Sequence, residues 1–159
     1  MTASLRVIDP GMQSTLQDMG RHGHQRLGIP VSGALDWVSL RAANLLVGNP
    51  PSTAAIEMAL VGPTLEIAAD SVRVALAGTS AGIELLLPER GRIPSLQSVV
   101  LHRGQRFRVP GFGDTAAAYL AVEGGFAIEP VLGSLSTHWR AQIGPLERSE
   151  ERRVGKECA

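Results

Sequence analysis

The stretch 55–77 reads AIEMALVGPTLEIAADSVRVALA. It holds three apolar runs, 55–60, 64–68 and 72–77, divided by Gly62-Pro63 and by Asp70-Ser71. Each run is too short for an ordinary helix. Each is also stopped by residues that favour turns, since Pro lacks the ladder N–H and Asp and Ser bond back to local backbone. Short runs bounded this way read as strands. Toward the C-terminus the series continues through 83–87, 97–101, 106–109 and 116–122, with Gly or Pro in most gaps. Toward the N-terminus, 5–9 is a strand closed by Pro10-Gly11. The segment 12–29 carries Gly20, His22, Gly23, His24 and Gly28 without a clear period, and reads as a long ordered loop.

One helix interrupts the strands. Leu35, Val38, Ala42, Leu45 and Leu46 recur at i, i+3, i+7, i+10 and i+11, which predicts a buried stripe. Ser32 or Gly33 serves as N-cap, with Asp36 in the first turn facing the helix dipole. Gly48-Asn49-Pro50-Pro51 ends the helix, because Gly accepts a left-handed C-terminal conformation and Pro cannot continue the ladder. The expected fold is mainly β with one helix, arranged as a barrel or sandwich.

Composition narrows the function classes. The 159 residues suit one ordinary domain. Fifteen basic and fifteen acidic residues give no net charge, unlike the basic excess of nucleic-acid binders, so no nucleic-acid partner is expected. No apolar run approaches the roughly 20 residues that span a bilayer, so no membrane association is expected. The start lacks an apolar stretch suited to a signal peptide. Cys158 is the single cysteine, so neither a disulfide framework nor a Cys-based zinc cluster is available, and a cytoplasmic setting is the default. The tail breaks from this pattern. Arg148 to Cys158 reads RSEERRVGKEC, with seven charges in eleven residues. That string resembles the translation of a sequencing-library adapter, so 148–159 is read as a non-native tail. Without its four basic and three acidic residues the net charge becomes −1.

Several side chains carry candidate chemistry, and each has a plainer reading. Asp18 and Arg21, three apart in the glycine-rich loop, either pair with each other to pin it or supply a proton acceptor and an anion clamp. Ser32, Gly33 and Asp36 either cap the helix or present its N-terminus to an anionic substrate. Asn44 bonds to nearby backbone or lines a cleft. Glu57 sits inside an apolar strand, where a carboxylate faces solvent or needs a partner. His22 and His24 lack a third ligand, so no metal site is expected. The turn 77–82 contains glycine but no P-loop lysine.

Four ordered motifs go further. The first is Pro10-Gly11-x-x-x-Thr15-x-Gln17-Asp18-x-Gly20-Arg21-x-Gly23, followed by Gly28-Ile29-Pro30-x-Ser32-Gly33-Ala34-Leu35-Asp36. The second is Ala43-Asn44-x-Leu46-Val47-Gly48-Asn49, with Glu57 and Gly62-Pro63 beyond it. Tyr119-Leu120-Ala121-Val122-x-Gly124-Gly125 and Gly133-Ser134-x-Ser136-Thr137 complete the set. Together, from about Val7 to Glu147, they resemble the biotin-dependent carboxyltransferase family. That family includes allophanate hydrolase subunit 2, the carboxyltransferase part of urea carboxylase, and the C subunit of 5-oxoprolinase (the KipI antagonist group). Leu135 stands where the family pattern has Arg.

The resemblance implies a cyclophilin-like β-barrel lobe over 1–90, with 91–147 as its remainder and the truncated start of a second lobe. A lobe cut short leaves strand edges unpaired, so the piece alone is expected to be poorly soluble or inactive. The implied function is a subunit of an ATP-dependent 5-oxoprolinase, opening 5-oxo-L-proline to L-glutamate, with ATP used at the level of the complex. The alternatives are carboxyl transfer to urea or allophanate, with biotin carried on another domain, and regulatory binding that antagonises a kinase inhibitor. The implied partners are a carboxyltransferase partner of the subunit 1/B type, one more component of the complex and a small amide substrate. Asp18, Asp36 and Glu57 would then be the catalytic candidates. Gln17, Arg21, Ser32, Gly33 and Asn44 would line the substrate site.

Overall fold

The computed structural model describes residues 4–145 and 151–153. Eleven strands and one α-helix follow in the order β1 (Ser4–Asp9), β2 (Gln13–Gln17), α1 (Trp37–Leu46), β3 (Ala55–Ala59), β4 (Thr64–Ile67), β5 (Ser71–Ala77), β6 (Ile83–Leu87), β7 (Gly91–Ile93), β8 (Ser98–His102), β9 (Arg106–Arg108), β10 (Ala118–Val122) and β11 (Glu151–Arg153). They build two antiparallel sheets, ordered β11-β1-β4-β9-β6-β7 and β2-β3-β10-β5-β8. The mainly-β architecture with one helix is the one expected from sequence. The strands of 55–77 fall between the turn residues that bound the apolar runs.

Period-two alternation explains how the sheets face each other. Leu5, Leu65, Ile67, Ile83 and Phe107 from the first sheet meet Leu16, Ile56, Met58, Val74, Leu76 and Leu120 from the second in one buried core. The outer face of the first sheet is charged instead. There Glu66 lies between Arg6 and Arg106 across β1, β4 and β9, and Glu84 holds Arg108. The outer face of the second sheet carries α1, so β10 is covered on both sides and every residue of it is buried.

The helix corrects one expectation. Its buried face is Leu40, Ala43 and Asn44, continued by Val47. Leu35, Val38 and Leu45, expected inside, are 68%, 64% and 63% exposed. The reason is the surface beneath: the second sheet offers Ala55, Ala75, Ala77 and Ala121, and small side chains there admit close approach by a narrow helical face. Two apolar stripes run along this helix, and periodicity alone does not choose between them. The cap also moves. Asp36, not Ser32 or Gly33, is the N-cap, and its carboxylate accepts from the backbone N–H groups of Val38 and Ser39. Asp36→Ala should therefore destabilise the fold by about 1 kcal/mol, readable in a denaturant melt.

Two further differences concern strands. The expected loop 12–29 opens with β2, whose Thr15 and Leu16 alternate outward and inward like any half-buried strand. β7 has only three residues and no apolar run to announce it. The segment after residue 90 contributes to both sheets. β9 lies between β4 and β6, and β10 between β3 and β5, so strands from 91–122 complete both sheets. Of the tail, 151–153 pairs with β1, while 148–150 and 154–159 lie outside the described residues. No helix among the described residues is long and apolar enough to cross a membrane.

Candidate functional site

The glycine-rich loop after β2 folds back on itself through two glycines. Gly20 and Gly33 have φ of +90° and +95°, and their backbones touch: a methyl group on Gly33 would lie 3.0 Å from the Gly20 nitrogen. Only residues without a side chain allow both the conformation and the approach. The Arg21 N–H donates to the Val31 carbonyl and the Ala34 N–H to the Asp18 carbonyl, which closes the loop at its base.

Asp18 and Arg21 do not pair with each other. Both grip the segment 131–136. The Asp18 carboxylate accepts from the Ser134 and Ser136 hydroxyls at 2.6 Å each, from the Leu135 N–H at 2.7 Å and from the Gly20 N–H at 2.8 Å. Burial pushes its carboxyl pKa up, but these four donors outweigh that and hold it below the usual Asp value. Arg21 is 1% exposed. Its guanidinium donates to the Ser136 carbonyl at 2.6 Å, and more loosely to the Val131 and Ser134 carbonyls and the Ser32 hydroxyl. Gln17 extends the grip, donating from Nε2 to the Thr137 carbonyl, while its buried Oε1 meets no partner among the described residues. Asp18 thus supplies the acceptors, and Arg21 the donors, that a bent chain segment requires. Asp18, Gln17 and Arg21 are committed to the framework of this loop.

Asn44 sits apart from these residues. It is buried beneath α1, donating to the Thr53 carbonyl and accepting from Asn49. Asn49 in turn donates to the Val122 carbonyl and accepts from the Gly124 N–H.

Asp36 and Glu57 are brought together through Tyr119, which the sequence places in a motif but not among the site candidates. Thr15, Glu57 and Tyr119 are direct cross-strand neighbours on β2, β3 and β10, so their side chains share the outer face of the second sheet. The Tyr119 hydroxyl donates to Glu57 Oε2 at 2.6 Å and accepts from the Asp36 N–H at 2.7 Å. The Leu35 N–H donates to the same Glu57 oxygen at 2.8 Å. Glu57 is half-buried, and among the described residues its Oε1 accepts no hydrogen bond. Tyr119 is fully buried. Burial, and then the bond to Glu57, drive its phenol pKa well upward, so it stays protonated. The Asp36 carboxyl is lowered chiefly by the Ser39 hydroxyl, at 2.5 Å, and serves the cap. The sequence signal for Tyr119 is slight: it is the chain's single tyrosine, next to a run of alanines.

The glycine turn 78–82 is already filled. Its Ser80 N–H and Thr79 hydroxyl donate to the Asp114 carboxylate and hold its pKa down at about 2. A phosphate placed there would displace or face a carboxylate, so the turn does not fit a nucleotide. Among the described residues no three of His, Cys, Asp and Glu converge as metal ligands.

A family model described as "Carboxyltransferase domain, subdomain A and B" matches residues 27–156. The chain is 40% identical to the C subunit of 5-oxoprolinase from Escherichia coli over 148 residues, covering 90% of this chain and 45% of that protein. It is 34% identical to urea amidolyase of Saccharomyces cerevisiae over 142 residues, 89% of this chain and 8% of that one. A crystal structure of TTHA0988 superposes with a TM-score of 0.89 at 34% identity, covering 99% of this chain and 32% of that chain. The chain thus spans less than half the length of each of these relatives. On the extent of the family match and on these likenesses, the chain belongs to the carboxyltransferase domain family, subdomain A and B.

Proposed function

We propose that this chain is part of a subunit of an ATP-dependent 5-oxoprolinase-type hydrolase that opens 5-oxo-L-proline to L-glutamate. The observation that carries the reading is the 40% identity to the C subunit of 5-oxoprolinase along nearly the whole chain. The site geometry supports an amide substrate. Glu57 keeps one oxygen engaged by the chain and one open, and an open carboxylate oxygen suits the N–H of a cyclic amide. In the net reaction water adds its oxygen to the ring carbonyl carbon, the C–N bond breaks and the nitrogen takes up the proton. In this reading Glu57 holds and passes that proton. ATP belongs to another part of the complex in this reading, since the glycine turn here is closed by Asp114.

A second reading, carboxyl transfer to urea or allophanate, draws on the identity to urea amidolyase. Biotin would be carried elsewhere. The chain's one lysine is Lys156, and it follows Gly155 rather than the Met of an attachment site. Turnover by the assembled complex distinguishes the two. ATP-dependent glutamate release from 5-oxoproline supports the first, whereas carboxylation of urea with no action on 5-oxoproline replaces it with the second.

A further inference from the structure

We propose that Tyr119 is the positioning residue of this site: it fixes the Glu57 carboxylate so that Oε1, and not Oε2, meets the substrate amide. The inference rests on the 5-oxoprolinase reading for its substrate, and on geometry for its mechanism.

The direction of the Tyr119 proton is set by its neighbours. The Asp36 backbone N–H, 2.7 Å away, can only donate, so the phenol oxygen must accept from it. The phenol proton is then left for Glu57 Oε2 at 2.6 Å. The same oxygen takes the Leu35 N–H. Two donors from different elements, one on β10 and one on the segment entering α1, converge on Oε2 and fix the carboxylate plane. A half-buried Glu without them would sample several rotamers, and the entropy of holding a long side chain still would be met only when substrate bound. Tyr119 itself cannot move to suit a ligand. Its ring is buried among Ala75, Ala77, Ala121 and the α1 face. It is therefore a rigid post whose tip touches both the carboxylate and the start of the helix. It does not reach solvent and does not touch substrate, so its effect on turnover must pass through Glu57.

That last point gives the test. Turnover of 5-oxoproline is measured for the assembled complex with this subunit unchanged, and with Tyr119→Phe, Glu57→Gln and both. Tyr119→Phe should lower kcat about tenfold while KM stays within about twofold. The double variant should be no slower than Glu57→Gln alone, because a residue acting through Glu57 has nothing to position once Glu57 cannot accept the proton. Losses that multiply in the double variant, or an unchanged kcat in Tyr119→Phe, would overturn the proposal. If the unchanged complex acts on neither 5-oxoproline nor urea, the functional reading fails on its own. The positioning is then read from thermal melts of the unchanged complex, Tyr119→Phe, Glu57→Ala and both, since alanine, unlike Gln, removes the acceptor of the Tyr119 hydroxyl. Coupled losses of melting temperature keep the Tyr119–Glu57 contact, and additive losses remove it.

Discussion

Asp18→Ala is expected to lower stability by about 3–5 kcal/mol, a large loss for a single polar group. The substitution strands four donors at once: two hydroxyls and two backbone N–H groups. Ser134 and Ser136 are buried, so water cannot replace the carboxylate without opening the loop. For a chain of this size the loss corresponds to a fall of roughly 10 °C in melting temperature, read by calorimetry. The effect has a pH signature. The folded-state pKa of Asp18 is depressed, so its contribution is complete above the unfolded value of about 3.9 and disappears as pH falls through the lower folded value. Stability of the unchanged protein should drop below about pH 4, and that acid limb should flatten in Asp18→Ala.

Glu57→Gln is expected to do the opposite, leaving the fold and removing the chemistry. Gln has the same shape, and its amide oxygen can take the place of Oε2 and accept from both Tyr119 and Leu35. Stability should stay within about 1 kcal/mol, since no buried donor loses its acceptor. What is lost is the ability to take up a proton at the open position. Removing a general base costs typically about 10²–10⁴ in rate, so kcat of the complex on 5-oxoproline should fall by at least a hundredfold. A loss confined to KM would instead mark Glu57 as a binding group.

Much of the fold was legible because short alternating runs between turn residues carry their own boundaries. The strands at 55–77 and 116–122 needed nothing beyond local pattern. The helix was legible in place but not in orientation. Its larger stripe, Leu35, Val38 and Leu45, outweighs Leu40, Ala43 and Val47 by apolar size. The alanines that select the second stripe lie on strands far away in sequence. The site divides for a similar reason. Spacing drew Asp18 and Arg21 together as a pair, yet both turn to a segment more than a hundred residues later, which no local pattern reveals. Asp36 and Glu57 were visible singly, and the hydroxyl that joins them comes from β10. Hydrophobic periodicity reports burial along one element, while sites of this kind are made by pairing across elements.

The proposed assignment makes the glycine-rich loop around Asp18 and Arg21 framework and Glu57 the reacting carboxylate. It is tested most directly by kcat per folded subunit for Asp18→Ala and Glu57→Gln, measured side by side in the assembled complex below the lower melting temperature. The claim predicts that Asp18→Ala retains kcat within about threefold while Glu57→Gln loses a hundredfold or more. A Glu57→Gln complex that turns over 5-oxoproline at the unchanged rate, beside a folded but inactive Asp18→Ala, would contradict it.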